Sequence, residues 1–192
     1  MIILIQLFTI GQIYNANELR QELIEKGFIF DGHCDTEVLL KSYIYWGAEV
    51  VNKLNGIFAF AIWNTKTEEL FIARDHFGIK PLYYTFNDDN FIFASEIKAL
   101  LKHPHVKPCL NATSICELFG IGPAHTPGTS VFKNIYEIKP AHYAILNKSG
   151  FHIEKYWELI SKPHTDNFNQ TCEKVKYLLD DAIKRQLVSD VP

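Results

Sequence analysis

The side chains with chemical reach are few and far apart. The four cysteines, Cys34, Cys109, Cys116 and Cys172, show no CxxC spacing and no paired histidines that would complete a metal site. Such thiols are expected to be buried, as small apolar side chains. The eight histidines are scattered. His103 and His105 come closest, but Pro104 between them and a loop-like setting argue against a ligand pair. His76 and His142 read as surface or core side chains. Arg74-Asp75 sets a cation beside an anion at the end of an apolar run, and no chemical step calls for that pair. It is expected to be a structural ion pair pinning the strands around it. Asp35 heads a helical pattern, where its carboxylate can accept from free first-turn amides and meet the positive end of the helix dipole. Gly11 suits a tight turn.

The elements that must position these groups can be read from periodicity and punctuation. Residues 57–63 (IFAFAIW) form a continuous apolar run between Asn55-Gly56 and Asn64-Thr65, the pattern of a strand buried on both faces. Residues 70–73 give the next strand, and Gly78 and Pro81 punctuate the loop after Asp75. Residues 82–86 and 91–94 read as a hairpin around the polar turn 87–90, and Ser95 is placed to cap a helix over 96–101. Upstream, the spacing predicts a strand over 2–8 and a helix from Asn15 or Asn17 to Lys26. A short strand at 28–30, a helix from Cys34 to Gly47 and a helical turn over 48–54 follow. Downstream come a helix from Asn111 or Thr113 to about Phe119, a loop over 120–128, and strands at 131–132, 141–146 and 151–157. Polar residues 161–169, with Pro163, suit a linker. An amphipathic helix then runs from Phe168 or Asn169 to Leu187, with Val175, Leu178, Leu179, Ala182, Ile183 and Leu187 at three- and four-residue spacing. Its apolar stripe is expected to pack as core. Sequential hairpins flanked by helices argue an α+β layered domain. A Rossmann sheet is disfavoured, because no G-x-G-x-x-G lies between a strand and a helix.

Composition closes off other classes. A chain of 192 residues with 47% hydrophobic and 14% aromatic residues has ample material for a packed core. A formal charge of −3, with no basic cluster longer than Lys184-Arg185, gives no footprint for nucleic acid or an anionic membrane. The apolar start MIILIQLFTI lacks a basic region and a cleavage site, and is too short to span a bilayer. A soluble, cytoplasmic protein is expected.

ARDHFGIKPLYY (residues 73–84) followed by FASEIKALL (93–101) closely resembles the glutaminase domain of glutamine-hydrolysing asparagine synthetases. These are class II glutamine amidotransferases of the N-terminal-nucleophile hydrolase superfamily. The first segment also looks like the amidotransferases of purine and amino-sugar synthesis. Further segments resemble the asparagine synthetase family in order: Gly11-Gln12-Ile13-Tyr14-Asn15, Asp35-Thr36-Glu37-Val38, and Pro127-Gly128-Thr129 through His142-Tyr143. LLDDAIKRQLVSDVP (178–192) resembles the opening of its ATP-dependent domain. The resemblance implies a four-layer α/β/β/α sandwich. It divides the chain into a glutaminase domain over 1–158, a linker over 159–167 and the start of a synthetase domain over 168–192. It implies glutamine as substrate, a possible homodimer, and a glutamine site that includes Asp35, Gly11 and Gln12. ATP and magnesium are implied only for a complete enzyme, and no cofactor for this chain.

The same family pattern marks departures. Its members begin Met-Cys-Gly, and the cysteine attacks the glutamine amide with its own α-amino group as base. This chain begins Met1-Ile2-Ile3-Leu4, and its earliest cysteine is Cys34. Ile10 stands where the family has its oxyanion-hole asparagine, and Gln12 where it has a glutamate for the substrate ammonium. The phosphate loop would follow Pro192. The sequence therefore reads as truncated at both ends, without glutaminase or synthetase activity of its own. A strand over 2–8 without its upstream neighbours should leave an unpaired edge and limit solubility. A non-catalytic remnant or interaction protein, or another class II amidotransferase, is the alternative.

Overall fold

The computed structural model describes residues 5–87, 90–122 and 126–187. The run at 57–63 is the spine of the domain, because its alternation of large and small side chains feeds two different interfaces. It lies in β2 (Gly56–Asn64), with Phe58, Phe60 and Ile62 on one face and Ala59 and Ala61 on the other, all buried. β2 sits between β1 (Ile5–Ile13) and β3 (Glu69–Arg74), both antiparallel to it. With β7 (His142–Asn147) and β8 (Gly150–Lys155) they form sheet A, in the order β1-β2-β3-β7-β8. Sheet B has the order β5-β4-β6, from β4 (Tyr83–Asn87), β5 (Asn90–Ala94) and β6 (Tyr136–Glu137).

Three core clusters mark three interfaces between four layers. The large side chains of β2 meet Leu19 of α1 (Ala16–Glu25) and Val38, Leu39 and Tyr43 of α2 (Asp35–Trp46). Ala59, Ala61, Ile72 and Ala144 on the other face of sheet A meet Leu82, Tyr84 and Ile138 in and beside sheet B. The outer face of sheet B, with Tyr83, Ile92 and Ala94, packs on Leu100 of α3 (Ile97–Leu100) and on Val106 and Ile135. This is the expected α+β sandwich of two helical layers and two sheets. The small residues of β2 let the sheets approach closely, while its phenylalanines reach down to the helices.

Several local expectations are corrected. Residues 28–30 form no strand, because Phe30 is held between two cations, the Arg20 guanidinium and the Lys41 ammonium, each 4.5 Å from the ring centroid. The helix after Ser95 starts later, at Ile97, with Glu96 at its N-cap and no capping side chain. Residues 131–132 contribute an isolated bridge from Phe132 to Leu110 rather than a strand. β6 went unforeseen; only two residues long, it carries no periodicity to detect. α4 (Ala112–Ile121) is capped by Asn111, whose side chain accepts from Thr113 N, and runs two residues past its expected end at Phe119. Residues 123–125 of the following loop, 88–89 of the hairpin turn and 2–4 of the first strand lie outside the described residues. All four cysteines are exposed, not buried. They fall on loops and on outer helix faces, where no layer covers them.

The C-terminal helix α5 (Phe168–Gln186) forms as expected, opened by a reciprocal cap in which Asn167 N donates to Gln170 Oε1 and Gln170 N to Asn167 Oδ1. Its apolar stripe does not pack as core: none of its side chains is buried, and Val175, Leu178, Leu179 and Ile183 are exposed. Among the described residues its tie to the sandwich is Arg185, which donates to Glu18 of α1 at 2.7 Å. No described helix is long and apolar enough to cross a membrane.

Candidate functional site

Gly11 and Asp35 meet where the end of β1 crosses the start of α2. Gly11 is not in a turn but inside β1, opposite Phe58 of β2, with φ +136. A Cβ there would lie 2.0 Å from Ile57 O, so only glycine allows β1 to come this close to β2. Asp35 is not the helix cap. The N-cap position belongs to Cys34, and Asp35 is the first helical residue. Its Oδ2 accepts from Ile13 N at 3.2 Å, an amide on the outer edge of β1, and so ties helix to strand. Its Oδ1 lies 3.5 Å from Thr36 Oγ1 and 3.7 Å from Cys34 Sγ, long contacts that leave it open to a stronger donor. The crevice among Thr9, Gly11, Ile13, Asp35, Thr36 and Leu39 has no room for a water-sized molecule, so a ligand would lie over it, not within it. Gln12 is half-buried and does not line the crevice.

The loop before Asp35 is held by residues that the sequence patterns did not single out as a clamp. Arg20 donates to Gly32 O at 2.7 Å and to Cys34 O at 3.3 Å. Glu37 accepts from Asp31 N and Gly32 N, both at 3.0 Å, and pairs with Lys41. Lys41 donates in addition to Ile29 O. The Lys41 ammonium and the two amides hold the Glu37 carboxyl well down, at about 2. A signal for it existed: Glu37 sits three residues after the N-cap, where a side chain can reach back over the preceding loop. A carboxylate with a depressed folded value contributes order that is complete above its unfolded value, near 4.3, and fades as pH falls toward 2. The clamp on residues 29–32 is therefore expected to open between about pH 4 and 2. Amide exchange of Asp31 and Gly32 followed by NMR across that range should rise while β2 stays protected; unchanged exchange at pH 2.5 would remove the clamp.

Arg74 and Asp75 do not pair with each other. Arg74, 5% exposed, pairs with Glu137 of β6 at 2.7 Å and also donates to the carbonyls of Lys80, Ile138 and Gly78. Asp75, 1% exposed, accepts from the backbone amides of Phe58, Phe77, Ile79 and Lys80. The structural role expected of these residues holds, with different partners. His76 packs edge-on against Tyr156 and Trp157, and burial pushes its imidazole value down. His142 Nδ1 is 2.7 Å from Pro140 O. No group of three or more His, Cys, Asp or Glu side chains among the described residues could hold a metal.

A family model described as a glutamine amidotransferase domain matches residues 4–157, which takes in both sheets, α1 to α4 and the Gly11–Asp35 contact. The chain belongs to that family. It is 50% identical over 182 residues to asparagine synthetase [glutamine-hydrolyzing] 3 of Bacillus subtilis (strain 168), covering 95% of this chain and 30% of that protein. It is 35% identical over 187 residues to putative asparagine synthetase [glutamine-hydrolyzing] 2 of Methanocaldococcus jannaschii, covering 95% of this chain and 35% of that one. The chain thus spans about a third of the length of these relatives. Among solved structures it is similar to the glutamine phosphoribosylpyrophosphate amidotransferase from B. subtilis complexed with ADP and GMP. That match has a TM-score of 0.54 and 25% identity, and covers 81% of this chain and 30% of the other.

Proposed function

We propose that this chain is the glutamine-binding domain of an asparagine synthetase, followed by the first helix of the ATP-dependent part. The 50% identity over 182 residues carries this reading. The amidotransferase match ends at residue 157, and residues 158–167 have no regular structure and are mostly exposed, as a linker would be. α5, beyond that linker, leaves its apolar stripe unburied, which supports assigning it to another domain. In the complete enzyme, ammonia from glutamine would amidate aspartate at the expense of ATP. ATP and magnesium would belong to the ATP-dependent part of that complete enzyme.

In this domain Asp35 Oδ1 would receive the α-ammonium of glutamine over the crevice that Gly11 borders, while Gln12, which does not line that crevice, would act only from beside it. A second reading, of a domain that binds without hydrolysing, is favoured by the site itself. Ile10 supplies no side-chain donor for an oxyanion, and a missing donor alone costs roughly 10²–10³ in rate. The 192-residue chain is expected to bind L-glutamine, seen by calorimetry, and to release no glutamate from it. Asp35→Asn should weaken binding by about ten-fold or more, the worth of a charge-assisted hydrogen bond. Absence of binding at millimolar glutamine removes the glutamine-site reading, and glutamate release at an ordinary enzymatic rate removes the non-hydrolytic one.

A further inference from the structure

A cavity of about 500 Å³ opens on the outer face of sheet B and shares no lining residue with the Gly11–Asp35 crevice. Its origin lies in the shortness of β6. That strand pairs with β4 only at Tyr83 and Tyr84. Just upstream the chain departs, with Ile135 buried in the core and Asn134 in the left-handed region at φ +64. β4 runs on without a neighbour on that side, and the gap beside Thr85 is the cavity. Its walls are pinned. Lys133 N donates to Cys109 O and Cys109 N to Lys107 O, both at 2.8 Å. Ser130 Oγ accepts from Phe132 N at 3.1 Å and donates to Ile135 O at 2.9 Å, which closes the turn carrying Lys133 and Asn134. Thr85 forms the floor. Alternation along β4 turns it outward with Tyr83, because Tyr84 faces sheet A. The residue is 3% exposed, yet its hydroxyl has no hydrogen-bond partner among the described residues. Buried hydroxyls are ordinarily satisfied, and this one borders open space from which a partner can come. The charged side chains of the lining are Lys107 and Lys133, with no carboxylate among the described residues. Neither ammonium has an ion-pair or hydrogen-bond partner among those residues.

We propose that this cavity binds a small organic phosphate monoester, its dianion held by Lys107 and Lys133 and one of its oxygens accepting from the Thr85 hydroxyl. Two ammonium groups act as point charges toward a phosphate, and the Asn134 amide adds neutral donors at the same rim. The cavity is larger than a bare ion needs and falls within the range of small-molecule sites, roughly 300–1,000 Å³. Val106 and Pro104 give its wall an apolar part against which a carbon body can rest. Free amino acids fit poorly. Their α-ammonium would enter beside two lysines with no described carboxylate to receive it. Glutamine is therefore not the ligand, and the site stands independently of the Gly11–Asp35 reading. A nucleic acid is disfavoured too, since two cations on a chain of net charge −3 neutralise too few phosphates.

Glucose 6-phosphate titrated into the isotope-labelled intact chain should shift the amide resonances of Thr85, Lys133 and Asn134, saturating below about 10 mM. Those of Gly11 and Asp35 should stay in place. Inorganic phosphate should bind about three-fold more weakly or worse, for want of a carbon body, and L-glutamine should leave the three amides unmoved. Raising sodium chloride from about 50 to 300 mM should weaken binding several-fold. Lys107→Ala and Lys133→Ala are each expected to weaken it by about five-fold or more. Thr85→Val should weaken it by about three-fold without lowering the urea midpoint, because the hydroxyl has no protein bond to lose. Cys109 lines the cavity, so its alkylation, mapped by mass spectrometry, should slow when glucose 6-phosphate is present. Cys34 and Cys172 should keep their rates, and this measurement decides the matter if a variant fails to fold. The proposal is overturned by no saturable shift at about 50 mM, by equal affinity for inorganic phosphate, or by binding indifferent to both lysines. A Thr85→Val protein that loses stability overturns it as well.

Discussion

Arg74→Ala is expected to cost about 3–5 kcal/mol, the usual penalty for stranding one member of a buried ion pair. The guanidinium has no solvent to fall back on, and its removal leaves Glu137, 7% exposed, as a buried carboxylate without its cation. It also frees three carbonyls, of Gly78, Lys80 and Ile138, which lie on two separate segments. Those segments are the loop after β3 and the chain leaving β6, so the substitution unfastens sheet B from sheet A as well as removing a charge pair. Typical domains have about 5–15 kcal/mol in total, so the loss should appear as a large drop in the urea midpoint. Lys148→Ala is the control, because its pair with Glu68 is exposed on both sides and is worth less than about 1 kcal/mol. Glu137→Ala should be similarly severe, and the double variant should fall well short of the sum, since each single change already breaks the same contact. Equal losses for Arg74→Ala and Lys148→Ala would show that the buried pair does no more than a surface one.

The same residues show where sequence reading runs out. Periodicity located β2, β3, β7, β8, α1, α2 and α5, because each has a repeating apolar pattern of several residues and a turn or cap at its ends. It could not find the partner of Arg74, which lies on a two-residue strand far along the chain. Nor could it show that Asp75 is satisfied wholly by backbone amides: no spacing records which amides a loop will turn inward. Asp35 was legible as a residue of interest but not as the tie it makes, since capping is a local pattern whereas its bond to Ile13 spans the joint between helix and strand. The exposed cysteines and the unburied stripe of α5 have one cause. Side-chain type sets a preference for burial, but burial needs a facing layer, and the sequence does not say which surfaces have one.

Gly11→Ala should be nearly as damaging as Arg74→Ala, and the comparison that explains it lies within the same chain. Gly27 also has a positive φ, +88, but a Cβ there meets nothing within 4 Å. Gly27→Ala therefore isolates the conformational penalty, about 1–2 kcal/mol. At Gly11 the φ of +136 is joined by backbone approaches of 2.0 Å to Ile57 O and 2.8 Å to Phe58 Cα. Neither neighbour is a flexible side chain that can swing aside, and Phe58 is itself fully buried. Relief requires β1 to move away from β2, which breaks the adjoining ladder bonds and carries Ile13 off the Asp35 carboxylate. Gly11→Ala is thus expected to lose about 3 kcal/mol or more, at least twice the Gly27→Ala loss. Glutamine binding should disappear with it even where the variant remains folded, because the strand and the carboxylate would no longer share an edge. A Gly11→Ala protein that matched Gly27→Ala in stability would mean that β1 and β2 do not approach so closely in solution. The site would then need a different backbone from the one described.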